Sequence, residues 1–229
     1  MSETLANPFT STVKTFHKLI RPVDFLGDEE IRILPQTLTG DFNSLAVRLA
    51  TVFDKNRTHI PMAERTGHFT VYLSGLATNW KILLARYNPF GGMNKDEKLA
   101  LDTVMDDLSF TVNFDCNPSH LGVFYSNTGD ENTKFHQDYG GKGRLLRSYN
   151  IAATEYVHRE DVLGAIEGKE NAFRLKEDVQ IHRLKIGDYS YHRHREERDE
   201  GCDLKRGLYH RAQAKQSGPI PRMLLCNDL

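Results

Sequence analysis

Three side chains set the chemistry open to this sequence: His136, Asp138 and His210. The first two lie in Lys134-Phe135-His136-Gln137-Asp138-Tyr139-Gly140-Gly141. A β-type run, Leu121 to Tyr125, and a turn-rich stretch, Ser126 to Asn132, precede this block, and a second β-type run, Arg144 to Ile151, follows it. Side chains alternate along an extended chain, so His136 and Asp138 share a face and can grip one ion. The third grip is expected from His210, in Arg206-Gly207-Leu208-Tyr209-His210-Arg211. Two histidines and one carboxylate on one face of Fe(II) leave the opposite positions open for O2 and a co-substrate.

The surroundings of the motif carry more weight than the motif. In a chain of 229 residues with 10 histidines, a His-x-Asp is expected by chance roughly once. Two His-x-Glu relatives occur, His158-Arg159-Glu160 and His194-Arg195-Glu196. The second falls in the charged run from His192 to Glu200, which reads as a solvated loop. The first leads into Asp161-Val162-Leu163 and reads as a helix start or strand end. His136-x-Asp138 alone lies between two β-type runs with glycines beside it, the rigid strand end that a metal needs.

The elements that position these residues divide the chain. Residues 1–109 read as a mainly helical flank and 110–229 as a β-rich core, together one catalytic domain. In the flank, Ile31 to Leu34 reads as a short strand and Phe69-Val71-Leu73 alternates like one. Asp41 or Asn43 is expected to cap a helix through Leu45, Leu49 and Phe53, and Leu76 to Tyr87 reads as another, with Trp80 in the core. Asn94 followed by Glu97 announces a third helix, to Leu108. Eight strands are expected after it: Phe110 to Phe114, Leu121 to Tyr125, Lys134 to Gln137, Arg144 to Ala153, Gln180 to Lys185, Tyr189 to His192, Leu208 to Gln213 and Met223 to Cys226. The interval Val162 to Glu177 reads as a helical or irregular excursion, and Gly187-Asp188 as a hairpin-type turn. About eight short strands in two sheets make a jelly roll. The expected class is therefore α+β, a cupin-like double-stranded β-helix with the N-terminal helices packed on one sheet.

Composition narrows the partners. A net charge of -1 gives no electrostatic drive onto nucleic acid or anionic lipid. The sequence shows neither an apolar run of membrane-spanning length nor a signal-type start. Three cysteines, Cys116, Cys202 and Cys226, lack metal-type pairing and read as idle thiols in a reducing cytoplasm. A small-molecule substrate is the remaining expectation, with nothing to indicate an oligomeric state. No Gly-x-Ser-x-Gly, Cys/His nucleophile motif or phosphate-cradling loop is present.

The order His136, Asp138, His210, Arg222 resembles that of the double-stranded β-helix oxygenases that use iron(II) and 2-oxoglutarate. Arg222 follows His210 by 12 residues, and Leu184 to Tyr189 resembles the Gly-Asp strand turn that those enzymes place before the distal His. The likeness covers roughly Leu121 to Asp228. Two blocks, Lys134 to Asp138 with Arg144-Leu145-Leu146 and Thr154-Glu155-Tyr156, and Arg206 to Ala212 with Pro221 to Leu225, also resemble a family of bacterial proteins of unknown function. The wider resemblance implies Fe(II) held by His136, Asp138 and His210, with 2-oxoglutarate and O2 as co-substrates and release of succinate and CO2 on hydroxylation.

The distal carboxylate of 2-oxoglutarate needs a fixed cation, and a bidentate Arg suits it best. Arg222, after Pro219-Ile220-Pro221, is the expected clamp, with Arg144, Arg147 and Arg211 as competitors. Arg147 and Tyr149 share parity with Leu145, so that face of the strand is expected to line the pocket. Tyr139 and Ser148 are lesser hydrogen-bonding candidates. Tyr191 to Leu204 is expected to form a lid at the mouth, with His192 and His194 on the surface or against substrate. Two alternatives stay open: a cupin-like metal enzyme that does not use 2-oxoglutarate, and a non-catalytic jelly-roll binding protein.

Overall fold

The structure is a computed structural model that describes residues 29–55, 62–65, 68–73, 91–112, 119–124, 134–139, 143–151, 153–168, 171–195, 207–212 and 220–228. Two helices, α1 (Phe42–Lys55) and α2 (Lys95–Val112), begin at caps that the sequence announces. Asp41 accepts the Ser44 backbone N–H at 3.0 Å, satisfying a first-turn donor that lacks an intrahelical partner. At α2 the capping box is reciprocal: Asn94 Oδ1 accepts the Glu97 N–H and Glu97 Oε2 accepts the Asn94 N–H, each at 2.9 Å. No helix among the described residues is long and apolar enough to cross a membrane.

Strands β1 (Ile31–Leu34), β2 (Met62–Arg65), β3 (His68–Leu73), β4 (Ser119–Phe124), β5 (Gly143–Ser148), β10 (Tyr189–Arg193) and β12 (Arg222–Asp228) form the large sheet. Its order is β1-β10-β5-β12-β4-β3-β2, with every pair antiparallel. The small sheet, in the order β11-β6-β9, takes β6 (Thr154–Val157), β9 (His182–Arg183) and β11 (Tyr209–Ala212), and an isolated bridge adds His136 beside His210. A separate hairpin pairs β7 (Val162–Ala165) with β8 (Phe173–Leu175). From β9 onward the described strands alternate between the sheets: β9 in the small one, β10 in the large, β11 in the small and β12 in the large. This mixed architecture with two antiparallel sheets is consistent with a jelly roll.

Strand parity decides what each face of the large sheet does. Tyr149, Met223 and Leu225 pack against Phe42, Leu45, Leu49, Leu101 and Val104 from α1 and α2, and the rings of Phe42 and Tyr149 stack at 5.6 Å. Burying each of these larger apolar side chains stabilises the fold by about 1.5–3 kcal/mol. Arg144, Leu146 and Ser148 on β5, Ser190 and His192 on β10, and Arg222, Leu224 and Cys226 on β12 fall on the opposite face, toward the small sheet. A second core of Phe135, Val157, Val162 and Tyr209, joined by Phe173 and Leu175, lies behind the small sheet, so β7 and β8 cover its outer side.

Several expectations change. The 1–109 segment contributes β1, β2 and β3 to the large sheet as well as a helix layer; β1 and β3 fall on the runs expected as strands, and β2 is the addition. Phe110 to Val112 continues α2 instead of starting a strand: residue propensity is a weak prior, and the helix already running through Leu108 overrides it. Val162 to Glu177 contains the β7–β8 hairpin, turned through Gly168 (φ 70°) and Asn171 (φ 51°). Of the run Arg144 to Ala153 only Arg144 to Ser148 is strand, in β5, and β6 begins just beyond it at Thr154 in the other sheet, while Lys134 to Gln137 supplies one bridge, not a strand. Gly187-Asp188 turns the chain from the small sheet to the large one: Gly187 adopts φ 95° and donates its N–H to Ser148 O at 2.8 Å. The helix expected over Leu76 to Tyr87, with Trp80, lies outside the described residues.

Candidate metal centre

His136 and His210 exchange both backbone hydrogen bonds at 2.9 Å, which places their imidazoles side by side with ring centroids 4.5 Å apart. His136 Nδ1 is 2.9 Å from the Lys134 carbonyl oxygen, and His210 Nδ1 is 3.2 Å from that of Leu208. A carbonyl only accepts, so each Nδ1 carries the proton and each Nε2 offers its lone pair. Asp138 meets both: Oδ1 is 3.9 Å from His136 Nε2 and Oδ2 is 3.3 Å from His210 Nε2. One ligand atom from each of the three residues lies within 4.8 Å of the others. The structure thus brings together the three residues that the sequence singles out.

The residue between the ligands holds them in place. Gln137 N–H donates to Asn171 Oδ1, Asn171 Nδ2 donates to Gln137 O at 2.6 Å, and Gln137 Nε2 donates to Gly207 O at 2.9 Å. Gln137 thereby fastens the His-x-Asp turn to the excursion on one side and to the approach to His210 on the other. The Asp138 carbonyl accepts the Arg195 N–H at 2.8 Å, tying the turn to the end of β10. Gly207, at φ 124°, brings its backbone against Arg195: a Cβ there would lie 2.9 Å from the Arg195 nitrogen. Neither Gln137 nor Asn171 stands out in the sequence, because their partners lie 70 and 34 residues away.

The site's electrostatics suit a metal. Burial pushes the Asp138 carboxyl up, but the charges of His210, Arg144 and His136 outweigh it and hold the group well below the usual carboxylate range. Burial, with the neighbouring His210 charge, lowers His136 against the opposing pull of the Lys134 carbonyl and Asp138. At neutral pH the chain presents an ionised carboxylate beside a neutral His136 imidazole, the protonation states that ligate a divalent cation.

His192 adds a group that its sequence setting hides. It lies in the charged run read as a solvated loop, yet it is completely buried on β10, opposite Arg144, with its ring 5.2 Å from that of His210. Ser190 Oγ is 2.9 Å from its Nε2, and burial holds the ring neutral, well below the ordinary histidine value. His194 is buried as well. These two histidines are therefore not surface residues. The rest of the expected lid, 196–204, lies outside the described residues.

The residues expected around 2-oxoglutarate separate. Arg144 turns toward the triad, its Nη1 2.6 Å from Asp138 Oδ2. Arg147 and Tyr149, expected to line the pocket, face the helices instead. Arg147 Nη1 lies 2.9 and 2.7 Å from the two carboxylate oxygens of Asp107 on α2, and Asp107 also accepts the hydroxyls of Tyr149 and Tyr189. Parity correctly groups Leu145, Arg147 and Tyr149, but theirs is the face turned away from His136, Asp138 and His210. Arg211 pairs with Glu155 at 2.8 Å and lies over the Phe135 ring, on the outer side of the small sheet. Tyr139 is 70% exposed, whereas Ser148 is buried on the site face. Arg222 is buried at the start of β12, in the same parity as Leu224 and Cys226, and burial pulls its guanidinium down to about 10.

No family model and no curated protein matches the chain. Among solved structures, it is similar to a 2-oxoglutarate binary complex of the dioxygenase for auxin oxidation 1 from Arabidopsis thaliana, at 10% identity and a TM-score of 0.43, over 82% of this chain and 76% of that one. The rice dioxygenase for auxin oxidation gives 10% identity and 0.41 over 91% and 76%. A prolyl hydroxylase from Trichoplax adhaerens, in complex with a hypoxia inducible factor peptide, gives 7% identity and 0.41 over 98% and 93%. Likeness at these scores establishes neither reaction nor substrate.

Proposed function

We propose that this chain is a double-stranded β-helix dioxygenase dependent on Fe(II) and 2-oxoglutarate. In this reading it hydroxylates an unactivated C–H bond of a small molecule or amino-acid-like substrate, with release of succinate and CO2. The observation that carries the proposal is the facial set His136, Asp138 and His210, with both Nδ1 protons engaged by backbone carbonyls and one ligand atom of each within 4.8 Å. The alternation of strands between the two sheets from β9 to β12 supports the fold assignment.

Two imidazole nitrogens and one carboxylate oxygen fit Fe(II), which when bound supplies the oxidising chemistry together with O2 and 2-oxoglutarate. The protein's part is positioning. His136 and His210 hold their Nε2 lone pairs inward, and Arg144 takes one oxygen of Asp138, leaving Oδ1 for the ion. Arg222 is the clamp for the distal carboxylate of 2-oxoglutarate. With its guanidinium near 10 it stays cationic at neutral pH, and its burial keeps water from competing for the carboxylate.

Succinate formation from 2-oxoglutarate without a prime substrate, measured with and without Fe(II), tests this reading. Iron-dependent succinate supports it. Iron binding without consumption of 2-oxoglutarate would mean a cupin-like metal enzyme of another kind, and no iron binding would mean a non-catalytic binding protein.

A further inference from the structure

The inner face of the small sheet carries a row of rings that extends beyond the two histidines of the metal site. His136 bridges His210, His210 pairs with Tyr156, and Tyr156 pairs with His182, so four ring side chains share one transverse row and one face. The outer face is accounted for separately: Val157 and Tyr209 belong to the second core, and Glu155 takes Arg183 and Arg211. Within the inner row Tyr156 and His182 stack, with centroids 5.1 Å apart and planes 20° from parallel. His158 meets both edge-on, at 5.9 Å from Tyr156 and 4.8 Å from His182. None of the three is fully buried.

His182 covers one face of the Tyr156 ring and His158 closes an edge, and the ring is half-exposed. Directly opposed side chains on paired strands have Cβ atoms about 4.5–5.5 Å apart, so a group packed on the exposed part of Tyr156 lies one strand from His210.

We infer that this ring cluster is the recognition surface for the prime substrate, and that the substrate presents a planar aromatic ring that stacks on Tyr156 beside the metal. The inference rests on the metal-centre reading for its chemistry but not for the binding itself. Aromatic rings associate through offset stacking and edge contacts, and Tyr156 with the two imidazoles offers both. The cluster contains no carboxylate, so a flat ring suits it better than an ammonium group does. Burial raises the Tyr156 hydroxyl, which keeps it neutral and able to donate to a ring substituent.

The test uses phenol and cyclohexanol, a planar and a saturated probe of similar size, on the full chain. Saturation-transfer NMR reports contact whether or not a metal is bound. With Mn(II) added, paramagnetic broadening of the probe's ring protons reports nearness to the triad. Phenol is expected to bind at least about threefold more tightly than cyclohexanol, a difference of about 0.7 kcal/mol at 1.4 kcal/mol per tenfold. Tyr156→Ala should remove that preference, Tyr156→Phe should keep it, and Mn(II) should broaden bound phenol. Thermal melts confirm that the variants fold, and His182→Leu, which should weaken phenol binding, replaces Tyr156→Ala if that variant does not. Equal binding of the two probes, or phenol binding indifferent to Tyr156→Ala and His182→Leu, overturns the inference. So does displacement of phenol by 2-oxoglutarate, which would give the shelf to the co-substrate. Phenol that binds through Tyr156 in a protein that takes up no Mn(II) leaves the shelf standing and removes the metal centre instead.

Discussion

Arg144 and His210 converge on the same oxygen of Asp138: Arg144 Nη1 is 2.6 Å and His210 Nε2 3.3 Å from Oδ2. The Arg144 guanidinium orients the carboxylate and helps keep it ionised before any metal arrives. Arg144 acts as a positioning residue for the ligand set.

Arg144→Met should lower Fe(II) affinity by about 10–100-fold, the usual cost of removing the partner that orients a ligand. It should also raise the Asp138 carboxyl toward its ordinary value. A depressed carboxyl contributes stability that is present above the unfolded value of about 3.9 and lost as pH falls through the folded one. The metal-free parent should therefore hold its melting temperature to lower pH than Arg144→Met does. Identical acid profiles and metal isotherms for the two proteins would show that Arg144 plays no such part.

Arg147 makes the opposite prediction. It is buried against Asp107 between the large sheet and α2, so Arg147→Met leaves an uncompensated buried carboxylate and should cost about 3–5 kcal/mol in chemical denaturation. Because this pair lies on the helix face, the affinity of the folded variant for Fe(II) and 2-oxoglutarate should match the parent's. A selective rise in the KM for 2-oxoglutarate, with stability unchanged, would return Arg147 to the pocket.

This contrast shows where the sequence stops being legible. The ligand triad can be read because His-x-Asp needs only local alternation and one distal His. The helix caps at Asp41 and Asn94 are local too. Which face of β5 meets the His136–Asp138–His210 triad is a tertiary fact. β5 is an inner strand with Leu145 and Leu146 both buried, so the apolar pattern marks neither face as the pocket. His192 misleads for a related reason: polar residues in a charged run suggest solvent, but a metal site gathers polar groups and buries them. The β7–β8 hairpin escapes notice because its strands are short and its turn depends on Gly168 and Asn171 at positive φ.

Arg222→Ala should raise the apparent KM for 2-oxoglutarate while leaving Fe(II) binding unchanged. Removing one partner of a buried charged pair costs about 2–5 kcal/mol. At 1.4 kcal/mol per tenfold, that is a rise of roughly thirtyfold or more. Arg222→Lys should recover only part of it, because an ammonium cannot form the two-bond fork. A 2-oxoglutarate titration at saturating Fe(II) reads this out, and an unchanged KM would mean that another cation holds the distal carboxylate.

The central claim is that His136, Asp138 and His210 form one metal centre, and an anaerobic Fe(II) binding isotherm tests it most directly. The parent is expected to bind one Fe(II), and His136→Ala, Asp138→Ala and His210→Ala, each confirmed as folded by its thermal melt, are each expected to lose that binding. An Asp138→Ala protein that binds Fe(II) as tightly as the parent would contradict the claim.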